Sequence, residues 1–165
     1  RLFVQEYGGK VLLLPQTWGP TPPEDDRLPA LRITRRLGDL SGSIFAIQDP
    51  LPPDLLQAVF GEMDLVIGTR MHSNIFSASR GVPVLPIGYL HKSLGIATMM
   101  GVGEWVVDIE KVDPPELTEK LAALWRGRED VRRRLHGIIP QLVAESRKAG
   151  QIIAQDYRDL SAGGR

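Results

Sequence analysis

Arg70 and His72 stand two residues apart in the segment Gly68-Thr69-Arg70-Met71-His72-Ser73-Asn74. A second segment, Gly88-Tyr89-Leu90-His91-Lys92, adds a phenol, an imidazole and an ammonium. Two of the chain's three histidines fall in these segments. Arginine offers a planar, permanently charged fork that suits a carboxylate or a phosphate. Histidine can move a proton near neutral pH or make a second anion contact. The chain has no cysteine, so a thiol nucleophile and a thiolate metal site are both excluded. Together Arg70, His72, His91 and Lys92 predict an electropositive pocket for a small anionic ligand. Plainer roles remain open: an ion pair for Arg70, helix capping by His72, Ser73 or Asn74, a surface position for His91 and a solvated Lys92. A lysine at a helix start works against the helix dipole, which favours a functional reading of Lys92.

This positive cluster sits in a neutral chain. Of 165 residues, 20 are basic and 20 acidic, for a formal net charge of zero. Such a balance gives no electrostatic case for nucleic acid or an anionic membrane surface. The longest apolar runs, Val11 to Pro15 and Val82 to Leu90, fall far short of the ~20 residues of a spanning helix. No Walker loop and no G-x-G-x-x-G follows any strand. A metal is not expected, because the loop histidines lack an acidic partner at ligand spacing; Asp49 is the nearest.

The elements that position these residues read as βα units. Short apolar runs at Val11–Leu14, Ser43–Ile47, Asp64–Ile67, Val82–Ile87 and Trp105–Ile109 predict five strands. Between them, Pro22-Pro23-Glu24, Pro52-Pro53-Asp54, Ser73, Lys92 and Pro114-Pro115-Glu116 open helical patterns. Proline and acid in a first turn suit a helix start. Alternation of this kind predicts an α/β, Rossmann-like parallel sheet with helices on both faces. Ligands of such sheets bind at the carboxyl ends of the strands, where both charged segments lie. The loop after the first strand, Gln16-Thr17-Trp18-Gly19, joins them as a candidate: Gln16 for ligand contact and Trp18 for stacking on a sugar or for packing the loop. Trp105 and Trp125 read as core, and His136 as a surface residue.

One domain spans residues 1–165 in this reading. Residues 1–8 look like the tail of a preceding helix, stopped at Gly8-Gly9, which suggests a chain continuing from an earlier segment. Residues 10–126 carry the βα units. Residues 128–160 form a helical region that Gly137 and Pro140 should break or kink. Beyond the kink, Leu142, Ala149, Ile153 and Leu160 share a face, and Ser161 to Arg165 should fray.

The stretch from Asp64 through Gly68-Thr69-Arg70-Met71-His72-Ser73-Asn74 to Phe76, then Gly81-Val82-Pro83 through Tyr89-Leu90-His91-Lys92 with Gly95-Ile96, resembles the polysaccharide pyruvyl transferases. The loop Pro15-Gln16-Thr17-Trp18-Gly19-Pro20 and the strand Glu104–Ile109 are similar to theirs as well. The likeness runs from about Val11 to the Pro140 region. It implies the C-terminal, donor-holding half of a two-domain protein like the B-type glycosyltransferases, with the N-terminal half as its missing partner. It implies transfer of the pyruvyl group of phosphoenolpyruvate onto two hydroxyls of a sugar in a polysaccharide or a lipid-linked precursor, giving a ketal and phosphate. Phosphoenolpyruvate is then a substrate, and no cofactor is expected. His72 becomes the general acid/base; Arg70, Ser73, Lys92, His91, Tyr89 and Gln16 become binding residues. The implied location is the cytoplasm, including the inner face of its membrane. A nucleotide-sugar glycosyltransferase or epimerase of the same fold is the competing reading. Many of those carry a ribose-binding glutamate where this chain has Phe76, which cannot accept such hydrogen bonds. A non-catalytic binding domain is the third.

Overall fold

The computed structural model describes residues 1–163, with the side chains of residues 90–92 and 162–163 outside that description. The chain divides into two compact units, Arg1–Leu56 and Gln57–Arg165. The sequence suggests one continuous five-stranded sheet. The structure instead has a two-stranded parallel sheet in the first unit and a three-stranded parallel sheet in the second. Both are flanked by helices, as an α/β Rossmann-like chain requires.

The first unit begins with α1 (Leu2–Tyr7), which ends on Gly8 at a left-handed φ of 62°. Strand β1 (Val11–Leu13) pairs in parallel with β2 (Ile44–Ala46), Val11 opposite Ile44. The crossover between them carries α2 (Arg27–Arg36), which packs on β2. The prolines expected to open this helix form a separate 3₁₀ turn, Pro22–Glu24, and α2 starts only at Arg27. Helix α3 (Pro53–Gly61) carries the chain into the second unit.

There, β3 (Val66–Gly68), β4 (Val84–Gly88) and β5 (Val107–Asp108) lie side by side and parallel. Helices α4 (Met71–Ser79) and α5 (Leu90–Met99) connect them, and α6 (Pro114–Arg126) and α7 (Arg128–Gly163) follow. The central strand β4 is the core: Val84 and Leu85 are wholly buried, joined by Leu124 and Leu135 from α6 and α7. The expected fifth strand is shorter than its apolar run, because Gly103–Trp105 forms a 3₁₀ turn before β5. Helix α6 starts where its prolines predict, with the Asp113 carboxylate accepting the Glu116 N–H at 3.3 Å.

Two glycines fix how α7 docks. Helices α4 and α5 both end in the same turn, Gly81 at φ 77° and Gly101 at φ 74°. After α4, the Val82 and Gly81 N–H groups donate to the Ser77 and Ala78 carbonyls; after α5, Val102 and Gly101 donate to Ala97 and Thr98. These are Schellman closures, which need a residue tolerant of positive φ. Side chains of α7 fill the space over each: the His136 ring lies against Gly81, and Ile138 against Gly101. An Arg134–Glu104 ion pair at 2.6 Å joins the same contact. A side chain at Gly81 therefore meets both a disfavoured backbone and an occupied space. Gly81→Ala should cost about 2 kcal/mol in denaturant unfolding. A loss below about 0.5 kcal/mol would mean that the turn relaxes freely.

The break expected at Gly137 and Pro140 is absent: α7 is one helix from Arg128 to Gly163, with Pro140 inside it. Proline forfeits one helical hydrogen bond. The burial of Val131 and Leu135 on the preceding turns holds the first half against the core. The expected fraying from Ser161 gives way to helix as far as Gly163; residues 164 and 165 lie outside the described residues. Among the described residues, no helix is long and apolar enough to cross a membrane.

Candidate functional site

The site is built on two strand ends. Gly68 closes β3, and Thr69 and Arg70 lead into α4. Gly88 closes β4, and Tyr89 alone leads into α5. The strands are neighbours and parallel, so both connections leave the same edge of the sheet. Arg70 is the N-cap of α4 and Tyr89 the N-cap of α5. His72 and His91 consequently occupy the same position, the second residue, of their helices.

Thr69, Arg70, Met71 and His72 are all exposed, whereas the next two residues plunge inward: Ser73 is 3% and Asn74 5% accessible. No side-chain hydrogen bond caps α4. Its first N–H groups and the positive end of its dipole thus face the same edge as Arg70 and His72. The His72 ring lies 6.1 Å from that of Phe76, one turn along, and Phe76 lies 6.4 Å from Phe60 of α3. This row braces the imidazole from below while leaving it open to solvent.

The other expected site residues divide. Tyr89 is 49% exposed at the start of α5, on the same edge as Arg70. His91 and Lys92 lie in the first turn of α5, and their side chains lie outside the described residues. Ser73 departs from its expected role on ligand. Its hydroxyl is buried and donates to the Arg70 carbonyl at 2.5 Å, so it bonds within the loop. Capping of α4 by Ser73 or Asn74 is likewise absent, since the Asn74 amide donates to the Gly68 carbonyl at 3.2 Å.

Gln16 belongs to the first unit, where the loop after β1 is held from within. The Asp26 carboxylate accepts the Gln16 and Thr17 N–H groups at 3.2 and 3.1 Å. Trp18 bridges to Asp25 and lies under Arg27, whose guanidinium is 6.0 Å from the ring. The same guanidinium hydrogen-bonds the Asp25 carboxylate and holds its pKa below the usual carboxylate range. Trp18 thus packs the loop.

Two residues escaped the reading of loops alone. Asp26 accepts from Gln16 and Thr17 across ten and nine residues of chain, a separation over which no local pattern reveals the pairing. Asp108 lies in β5 as the apolar run predicts, and the register sets it opposite Gly88, at the strand-end edge. Its carboxylate accepts the Glu110 N–H at 3.1 Å. Among the described residues, no group of three His, Asp or Glu side chains is placed to hold a metal ion.

Much of this edge lies within a stretch that a family of known proteins shares. The family model described as polysaccharide pyruvyl transferase matches residues 30–91, which include β3, the Arg70–His72 loop, α4, β4 and the start of α5. The amylovoran biosynthesis protein AmsJ of Erwinia amylovora is 30% identical over 92 residues, 56% of this chain. That match covers 21% of AmsJ, so the chain spans about a fifth of the curated relative. No solved structure matches the chain significantly. Residues 30–91 of the chain are thus similar to the polysaccharide pyruvyl transferase family, and AmsJ is a relative of part of it.

Proposed function

We propose that this chain holds the donor in a protein that moves the pyruvyl group of phosphoenolpyruvate onto two hydroxyls of a sugar. The observation that carries the reading is the uncapped start of α4, with Arg70 and His72 exposed at its N-cap and second position. Phosphoenolpyruvate presents a carboxylate and a phosphate close together. Arg70 suits one and the α4 N-terminus, with Lys92 of the first turn of α5, suits the other. A relative named for amylovoran biosynthesis supports a role in making a polysaccharide.

The reaction needs two proton movements. C3 of the donor takes a proton, which leaves C2 electrophilic. The first sugar hydroxyl adds to C2 and loses its proton; the second displaces phosphate and loses another. Of the two protons released, one balances the proton gained at C3 and one leaves with phosphate. His72 is the group we assign to this traffic, and Arg70 with the helix dipole stabilises the departing phosphate.

Phe76 favours this donor over a nucleotide sugar, because its ring packs against His72 and Phe60 and has no oxygen to offer a ribose. Calorimetric titration of the full-length protein with phosphoenolpyruvate, UDP and GDP separates the two. Phosphoenolpyruvate should release heat and the nucleotides should not. Binding of UDP or GDP alone would overturn the reading. With a saccharide acceptor added, phosphate release should require both substrates.

A further inference from the structure

The two strand-end segments share a spacing, Gly68-x-x-x-x-Ser73 and Gly88-x-x-x-x-Ser93. In both, the serine hydroxyl occupies the space that a side chain on the glycine would need. The missing side chain lets the first turn of each helix fold back against the end of its own strand. At Gly68 the contact is doubled, since the Asn74 amide fills the same space. Three hydrogen bonds then tie this corner: Asn74 to the Gly68 carbonyl at 3.2 Å, Ser73 to the Arg70 carbonyl at 2.5 Å, and Ser77 to the Ser73 carbonyl at 2.7 Å.

Stability alone does not account for Asn74. Its amide oxygen is buried with no hydrogen-bond partner, an arrangement that works against folding. A small apolar side chain would fill the position without that penalty. What asparagine alone supplies is a donor to the last carbonyl of β3, two residues before Arg70. We propose that Asn74, with Ser73 and Gly68, is the positioning element of the site: it acts through Arg70 and His72, fixing their approach to the donor, and touches no substrate. This rests on the donor-site reading above and assigns the means by which that site keeps its shape.

The test uses the full-length protein with phosphoenolpyruvate and a saccharide acceptor. Asn74→Ala should lower kcat/KM for phosphoenolpyruvate at least ~10-fold while leaving KM for the acceptor unchanged. Asn74→Asp keeps the shape but presents a carboxylate to the Gly68 carbonyl. Burial raises such a carboxyl's pKa, and its protonated form donates again. The ratio of Asn74→Asp to wild-type kcat/KM should therefore climb as pH falls from 8 to 5.5, and the Asn74→Ala ratio should stay flat. Should Asn74→Ala fail to fold, Ser73→Ala removes only a hydroxyl and should show the same selective loss. Unchanged donor kinetics in these variants, with Arg70→Ala and His72→Ala impaired, would overturn the positioning role and spare the donor site. Unimpaired Arg70→Ala and His72→Ala would instead remove the donor-site reading and this inference with it.

Discussion

His72→Ala in the full-length protein should lower turnover at least ~100-fold and leave phosphoenolpyruvate binding nearly unchanged. The separation follows from where the imidazole stands. It sits at the second position of α4, exposed, with its ring braced on Phe76 and no part in the core. Removing it disturbs neither the Gly68–Ser73–Asn74 corner nor the N–H groups of the helix start. In the proposed reaction, ground-state attraction for the anion rests on Arg70 and the helix dipole, which stay. What goes is the group to which the proposal assigns the proton relay from the attacking hydroxyls. A hundredfold loss corresponds to about 2.7 kcal/mol of transition-state stabilisation. Turnover by stopped phosphate-release assay and donor affinity by calorimetry read the two quantities apart. Near-normal turnover would remove His72 from the chemistry, whereas weakened binding with normal turnover would make it an anion contact.

How much of this was legible in sequence depended on whether the signal was local. Gly81 and Gly101 follow their helices directly, and Asp113-Pro114-Pro115-Glu116 writes its own cap, so those boundaries could be read from a few residues. The Arg70–His72 pair was equally plain, because a strand, a glycine and a helix start lie within one short stretch. Long-range effects were not legible. Pro140 should stop a helix by its own chemistry, yet α7 passes through it while Val131 and Leu135 anchor the turns before. The residues around Ser73 suggest a helix cap, and the family resemblance implies a ligand contact. Only the fold shows its hydroxyl buried against Arg70 and Gly68. The split of the strands between two sheets is likewise a matter of pairing, which apolar runs of four to six residues do not encode.

The two halves of α7 should respond unequally to the same kind of truncation. Leu135 is wholly buried and reaches the core beside Leu124, whereas Ile153, on the same helix, is 69% exposed. In the 165-residue chain, Leu135→Ala removes packed methyl groups from the buried core. It should cost about 3 kcal/mol and lower the melting midpoint by roughly 10 °C. Ile153→Ala removes a branched side chain from solvent and puts a better helix former in its place. It should shift stability by no more than about 0.5 kcal/mol, in either direction. Thermal and denaturant unfolding of both variants decides the matter. Equal losses would mean that the second half of α7 packs as tightly as the first. A small loss at Leu135 would mean that the helix does not brace the Gly81 and Gly101 turns, and with them the far ends of the two helices whose starts form the site.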